Sequence, residues 1–501
     1  MKKFLSLIGF LGLLSVSCSD DDDAVVDDMT MAPDPVVYTS GTADFSNYVA
    51  LGNSLTAGFS DNALFVDGQE NSYPNMLAGN FALAGGGAFN IPFMADNLGG
   101  ATLGGEPILG NRFILSFATG SPLPVPLEGQ GATEISNVLS GTFNNVGVPG
   151  AKSYHLLAPG YGNLAGVPIG AANPYFARFA SSPNTTVLED AAAQNATFFS
   201  LWIGNNDVLG YVAAGGAGTD QSGNLDPSTY GGSDISDVNV VAGSIDGILQ
   251  TMTANGAKGV IANLPDVTSI PYLTAVPYNP IPLDAATAEL VNGAYAAYNG
   301  GLAQVQALGL ITAEELAQRT ISFEAGATNA AVIIDEDLTD LTAVNPALIN
   351  MRQTTADDFL VLTSSSFIGT LANPADPTSI NGVAVPLADQ WVLTPEEQAT
   401  ANSALAAYNQ VIEALATQYD IAFVDANSLF DGIRESGFPL ADGSFVTTDF
   451  GTGGGFSLDG VHPSPRGYAI LANAHVEAIN AKYGSNLPGV NPLDFTGLYL
   501  E

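Results

Sequence analysis

Four short segments of this chain carry residue types that can do chemistry together: Gly52-Asn53-Ser54-Leu55, Asn145-Val146-Gly147-Val148-Pro149-Gly150, Gly204-Asn205-Asn206-Asp207 and Asp459-Gly460-Val461-His462. A serine hydroxyl becomes a nucleophile when a neighbouring imidazole takes its proton. That imidazole works best when a carboxylate fixes its tautomer and stabilises the cation it becomes. Ser54 offers the hydroxyl, His462 the base, and Asp459, three residues before it, the carboxylate. Attack on an acyl carbon also creates an oxyanion, which needs donors already in position. Gly150 offers an unhindered backbone amide and Asn206 a side-chain amide. Together these are the parts of an ester-cleaving serine hydrolase.

Each segment alone has a plainer reading. Ser54 could be a helix cap, Gly150 a turn glycine, Asn206 an Asx-turn residue and His462 a solvated loop histidine. What argues against four coincidences is their order and their placement, each where a strand is expected to end. The choice of base is a small search, because the chain has three histidines. His155 follows the Gly150 loop, and His475 lies within the final amphipathic helix as a surface or packing residue. His462 stands in a glycine-rich loop stiffened by Pro463 and Pro465, and one turn brings Asp459 to its ring.

The elements that must position these groups follow from apolar runs. Tyr48–Leu51 reads as a buried parallel strand ending at Gly52, and Leu55–Gly58 can open a helix. A serine at that junction exposes its hydroxyl at the strand's carboxyl end, beside helix N-terminal amides. Further strands are expected at about 142–146, Thr197–Ile203, Lys258–Leu264 and Ile421–Asp425. Helical stretches are expected at Ser244–Ala254 and after Thr394-Pro395-Glu396-Glu397, a capping box with proline at the first helical position. Strands alternating with helices predict an α/β fold with a parallel five-stranded sheet.

On these residues the chain resembles the SGNH (GDSL-type) hydrolase superfamily, whose four marker residues match Ser54, Gly150, Asn206 and His462; the family's aspartate matches Asp459. The resemblance implies a three-layer, flavodoxin-like α/β/α sandwich and an acyl-ester hydrolase with no cofactor. It implies an oxyanion hole built from Ser54, Gly150 and Asn206. One position departs: the acid that names the GDSL group is here Asn53. Because Asp459 is the triad acid, that change should alter hydrogen bonding around the turn rather than the mechanism.

The hydrolase domain is expected over residues 44–485, with a tail at 486–501. At 501 residues the chain is long for one such core. Two stretches read as insertions, about 60–140 and 265–393, both expected on the carboxyl-end face of the sheet. The first is rich in Gly, Ala, Phe and Pro and suggests an acyl-binding wall. The second holds a helix at Ala285–Ala307, a β-rich portion around Ile321–Ile334 and an apolar run at Phe359–Thr363.

The N-terminus speaks to compartment. Lys2 and Lys3 precede the apolar run Phe4–Leu14, too short to span a bilayer and of signal-peptide form, so residues 1–17 read as a signal peptide. Cys18 is the only cysteine, which excludes an internal disulfide. Its position resembles a bacterial lipobox, with Ser15 where such boxes usually carry an aliphatic residue. That implies lipidation of Cys18, membrane attachment through the lipid, and a bacterial outer-membrane lipoprotein facing the periplasm or the cell surface. Residues 18–43 then form an acidic tether, and Asp20–Asp23 resemble the acidic export tags of surface lipoproteins.

Charge narrows the partners. Eleven Lys+Arg against 50 Asp+Glu give a formal charge of −39. Such a surface repels nucleic acid and anionic head groups, so no nucleic-acid partner is expected and the lipid must supply membrane affinity. Acidic clusters could bind calcium, but no EF-hand loop is present, and one cysteine with three scattered histidines makes no zinc site; no metal is expected at the catalytic groups. The substrate expected is a small-molecule or lipid ester. The other class in play is a surface lipoprotein that binds glycan or lipid on a hydrolase scaffold with little turnover.

Overall fold

The computed structural model describes residues 36–117 and 123–499. Five strands form the central sheet: β1 (Tyr48–Gly52), β2 (Asn145–Gly147), β3 (Phe198–Trp202), β4 (Lys258–Ala262) and β5 (Ala422–Val424). Their order across the sheet is β2-β1-β3-β4-β5, and every neighbouring pair is parallel. This is the flavodoxin-like order. The strands read as continuous apolar runs because helices cover both faces; all five residues of β1 and of β3 are buried. β2 begins later than 142–146 suggested. Pairing with β1 starts only at Ala50 opposite Asn145, and the Asn144 side chain instead donates to the Tyr48 carbonyl at 2.8 Å.

The helices that matter are, in chain order, α1 (Ser54–Ala57), α2 (Tyr73–Ala82), α3 (Val187–Ala192), α4 (Asn206–Ala213), α5 (Val238–Thr253), α6 (Ala285–Ala307), α7 (Pro395–Gln418), α8 (Ala426–Ser436) and α9 (Pro465–Tyr483). α2 and α9 pack together in one layer, while α3, α5 and α7 form the other. The capping box at α7 is made as expected, with Thr394 N–H donating to Glu397 Oε2 at 2.6 Å.

The stretch 60–140 is not a single insertion. α2 lies inside it, and its Tyr73, Met76, Leu77 and Phe81 follow helical spacing into the main core. Phe81 stacks on Phe45 at 4.1 Å, and both are buried. Gly79 and the alanines around it diluted that periodicity in the sequence. The remainder forms short hairpins, Ala101–Leu103 with Glu106–Leu109 and Phe113–Ser116 with Leu123–Pro126, over a small satellite core of Leu64, Met94, Ile135 and Tyr175.

Residues 265–393 build a core of their own around α6, including Tyr295, Tyr298, Leu302, Val332 and Leu387. Within the portion expected to be β-rich, only Val332–Ile334 is a strand; it pairs antiparallel with Met351–Gln353. The boundaries drawn at 43 and 485 fall inside the packed body. Thr42 N–H donates to the Tyr483 carbonyl at 2.8 Å, Leu487 is buried, and Tyr499 packs edge-on against Phe65. Among the described residues no helix is long and apolar enough to cross a membrane. Cys18, the signal-peptide segment and the Asp20–Asp23 run lie outside the described residues.

Candidate functional site

The chain leaves β1 for β2 on one side and returns to β3 on the other. Their carboxyl ends therefore open a crevice at the point where strand order reverses, the place where such sheets bind ligands. Ser54 follows β1, Gly150 follows β2 and Asn206 follows β3, so three of the four marker positions converge by topology alone.

Gly52 makes the β1 turn possible. A Cβ there would lie 2.4 Å from the Trp202 carbonyl oxygen, so only glycine lets the turn close against β3. Asn53, not Ser54, caps the short α1: its Oδ1 accepts from Leu55 N–H at 3.0 Å. The capping role open to Ser54 is thus already filled, and its hydroxyl points elsewhere. Asn53 is buried, and its Nδ2 donates to Asn205 Oδ1 at 3.0 Å, bridging the ends of β1 and β3. That is the local consequence of having asparagine where the related motif has an acid.

Ser54 Oγ lies 2.8 Å from His462 Nε2, and His462 Nδ1 lies 2.8 Å from Asp459 Oδ2. A carboxylate only accepts, so Nδ1 carries the proton and Nε2 is free to take the serine's. Ser54 and His462 are 408 residues apart in sequence. Asp459 is buried and accepts at both oxygens. Ser457 Oγ, Val461 N–H and His462 N–H donate to Oδ1, and Asn62 N–H and His462 Nδ1–H to Oδ2. Burial alone would raise this carboxyl, but the His462 ring and the backbone donors outweigh it and hold Asp459 at about 2. Phe59 packs on the His462 ring with centroids 4.7 Å apart. Phe59, Asn62 and Ser457 carried no short-range signal in the sequence, because they reach the triad only through the fold.

The other histidines are elsewhere. His155 accepts from Lys152 N–H at 3.0 Å and stacks on Tyr161. His475 is buried, donates to the Leu471 carbonyl and stacks on Tyr73. Burial lowers each to about 4, with the Lys152 charge adding at His155, so both stay neutral near pH 7.

Gly150 sits at φ +79°, braced by Asn173 Nδ2 donating to the Pro149 carbonyl at 2.8 Å. Asn206 Nδ2 donates one hydrogen to the Ala151 carbonyl at 2.9 Å, tying its side chain to the same loop and leaving its second hydrogen for a ligand. Behind them the buried Asp207 accepts from Ser153 N–H at 2.7 Å and Ser153 Oγ at 3.0 Å, which locks the two loops together. Ser54 N–H and Gly150 N–H have no acceptor among the described residues. Three donors therefore remain available around the serine.

A deep cavity opens at Ser54, His462 and Asn206, and its walls are apolar: Leu209, Val267, Ile270, Phe430, Ile433 and Ile470 are among them. These come from α4, the start of the 265–393 stretch, α8 and α9. Among the described residues none of the lining comes from 60–140, so the wall expected from that stretch is built elsewhere. What 60–140 contributes is its first turn, where Asn62 braces Asp459.

Beside it, Asp61 is buried at φ +49°, with Oδ1 accepting from Leu458 N–H at 2.8 Å and Oδ2 buried without a partner. Burial raises this carboxyl to about 7; the Leu458 amide opposes that and the Asp459 charge adds to it. A folded value above the unfolded one means stability is full below pH ~4 and is lost as pH rises towards 7. The loss is worth up to roughly 4 kcal/mol. Asp61→Asn tolerates the left-handed backbone and removes this titration. Its melting midpoint should fall clearly less than the parent's from pH 5 to 8, the remaining fall coming from other carboxyls that burial also raises, Asp389 and Glu397. Parallel profiles for the two proteins would show that Asp61 is not the titrating group.

No protein-family model and no curated protein sequence matches this chain. Among solved structures it is similar to a protein described as a GDSL-like lipase from Parabacteroides merdae, at 12% identity and a TM-score of 0.30, covering 89% of this chain and 100% of that one. It is also similar to a catalytic mutant of an acetylxylan esterase from Geobacillus stearothermophilus, at 11% identity and a TM-score of 0.28, covering 87% and 95%. Likeness at that level carries no argument. Fold and site rest on the chain's own sheet order and on the contacts above.

Proposed function

We propose that this chain is a serine ester hydrolase of the SGNH type that works through an acyl-enzyme. One observation carries the reading: the Ser54–His462–Asp459 chain of 2.8 Å contacts at the mouth of an apolar cavity. Ser54 Oγ attacks the ester carbonyl carbon as its proton passes to His462 Nε2. Ser54 N–H, Gly150 N–H and the second Asn206 Nδ2 hydrogen stabilise the oxyanion. Collapse expels the alcohol, protonated by His462. Water, deprotonated by the same nitrogen, then releases the acid and restores Ser54.

The apolar walls favour an acyl chain over acetate. Each buried methylene is worth about 0.8 kcal/mol, so the extra methylenes of hexanoyl or octanoyl should raise kcat/KM on p-nitrophenyl esters by about two to three orders of magnitude over acetyl. An acetyl optimum would assign the cavity to something other than the acyl group. The N-terminal sequence supports placing this activity on a lipid-anchored protein of the outer membrane. Cys18→Ser should then release the enzyme from membranes while purified protein keeps full ester activity. If that variant stays in the membrane fraction, the lipid-anchor reading fails.

A further inference from the structure

Far from the triad in sequence, three carboxylates gather with no basic partner. Glu336 lies in the turn after the strand Val332–Ile334, Asp389 opens the short 3-10 turn Asp389–Trp391, and Glu397 is the third residue of α7. One oxygen from each lies within 4.8 Å of the others. None of the ion pairs among the described residues involves any of the three. Acidic groups at a surface often sit near one another, so proximity alone decides nothing.

The deciding feature is Glu397. The residue is 6% exposed. Oε2 accepts from Thr394 N–H and from the Thr394 hydroxyl, whose Oγ1 in turn accepts from Glu397 N–H and so satisfies the helix end. Oε1 is buried and has no hydrogen-bond donor among the described residues. A buried carboxylate oxygen without a partner is costly, and no part of the helix cap needs it there. Gly215 and Gly216, both at positive φ, press against the same spot. A Cβ on Gly216 would lie 2.0 Å from Oε1, and one on Gly215 would lie 2.3 Å from the Asp389 carbonyl oxygen. The double-glycine turn therefore lays bare backbone, with no side-chain donor, against Oε1 of a carboxylate that groups with those of Glu336 and Asp389.

We propose that Glu336, Asp389 and Glu397 bind one calcium ion. The donor set is all oxygen, with no histidine or cysteine, and suits a hard cation. Calcium–oxygen distances of about 2.4 Å let ligands stand up to roughly 4.8 Å apart, so one ion can reach all three carboxylates, and calcium accepts an irregular donor set where magnesium demands a near-ideal octahedron. Burial and mutual repulsion raise the proton affinity of Asp389 and Glu397, which describes the cost of three charges with nothing between them. The ion would join the 265–393 subdomain to α7, and the contacting glycine turn directly follows α4, whose first residue is Asn206. Its role is to staple the inserted subdomain to the two helices behind the site, independently of whether the hydrolase reading holds.

The test uses the purified mature chain stripped with EDTA, titrated with calcium chloride and, separately, magnesium chloride. Calorimetry and the melting midpoint are the readouts. Terbium luminescence sensitised through Trp391, two residues from Asp389, reports the location. One calcium should bind more tightly than about 1 mM and raise the midpoint by several degrees, with magnesium at least tenfold weaker. Glu336→Gln and Asp389→Asn should each weaken calcium at least tenfold without lowering the midpoint in EDTA, and Trp391→Phe should dim the terbium signal without changing calcium affinity. The proposal is overturned if calcium leaves the midpoint unchanged, if magnesium matches it, or if the two neutralising variants keep the parent's calcium response. A variant that is more stable than the parent to the same degree with and without calcium would show that the carboxylates share a proton instead.

Discussion

Ser54→Ala is expected to fold like the parent and to lose ester turnover by about four to six orders of magnitude, leaving only what the oxyanion donors and binding contribute. The fold should be indifferent, because the capping of α1 rests on Asn53 rather than on the Ser54 hydroxyl. Ser54 itself is buried against His462, and its loss removes one hydroxyl from the mouth of the cavity. Binding of a product fatty acid should survive, since the apolar walls are untouched. A variant retaining turnover within about tenfold of the parent would remove Ser54 from the mechanism.

Asp459→Asn is expected to cost about 10⁴ in kcat with a modest change in KM. An amide at that position can offer a donor to His462 Nδ1, favouring the tautomer that presents a proton rather than a lone pair to Ser54. Asp459 Oδ1 accepts from two backbone amides and from Ser457, contacts that an asparagine carbonyl can keep, so the loop should remain folded. His462→Ala should be comparably inactive. His155→Ala and His475→Ala should keep turnover within tenfold, although His475→Ala opens a hole against Tyr73 and Trp202 and should lower the melting midpoint. If Asp459→Asn were nearly as active as the parent, the carboxylate would be a loop brace and not part of the catalytic relay.

The site was legible because its parts are short, chemically distinctive and attached to strand ends. A parallel sheet brings those ends to one edge, so Ser54, Gly150 and Asn206 could be placed together from strand order, and His462 could be found by elimination among three histidines. The helix α2 was missed as a core element because glycine and alanine flatten its periodicity, although Tyr73, Leu77 and Phe81 do the packing. The cavity wall was missed for the opposite reason. Leu429, Phe430 and Ile433 read as the buried face of an ordinary amphipathic helix, and nothing local says that this face meets a crevice rather than another helix. The second core within 265–393 arises from contacts between α6 and segments 20–100 residues downstream, which no local pattern encodes. Glu336, Asp389 and Glu397 are three of 50 acidic residues, and only the fold sets them apart.

The most direct measurement is covalent. The purified chain is treated with a fluorophosphonate reagent, digested, and the adduct located by mass spectrometry. A fluorophosphonate reacts with a serine only where a base has activated it, and the phosphonyl oxygen then sits in the oxyanion hole. Stoichiometric labelling is expected on Ser54 alone, abolished in His462→Ala and unchanged in His155→Ala. An unlabelled chain that is folded and monodisperse, or an adduct on any other serine, would contradict the assignment of Ser54, His462 and Asp459 as the catalytic machinery.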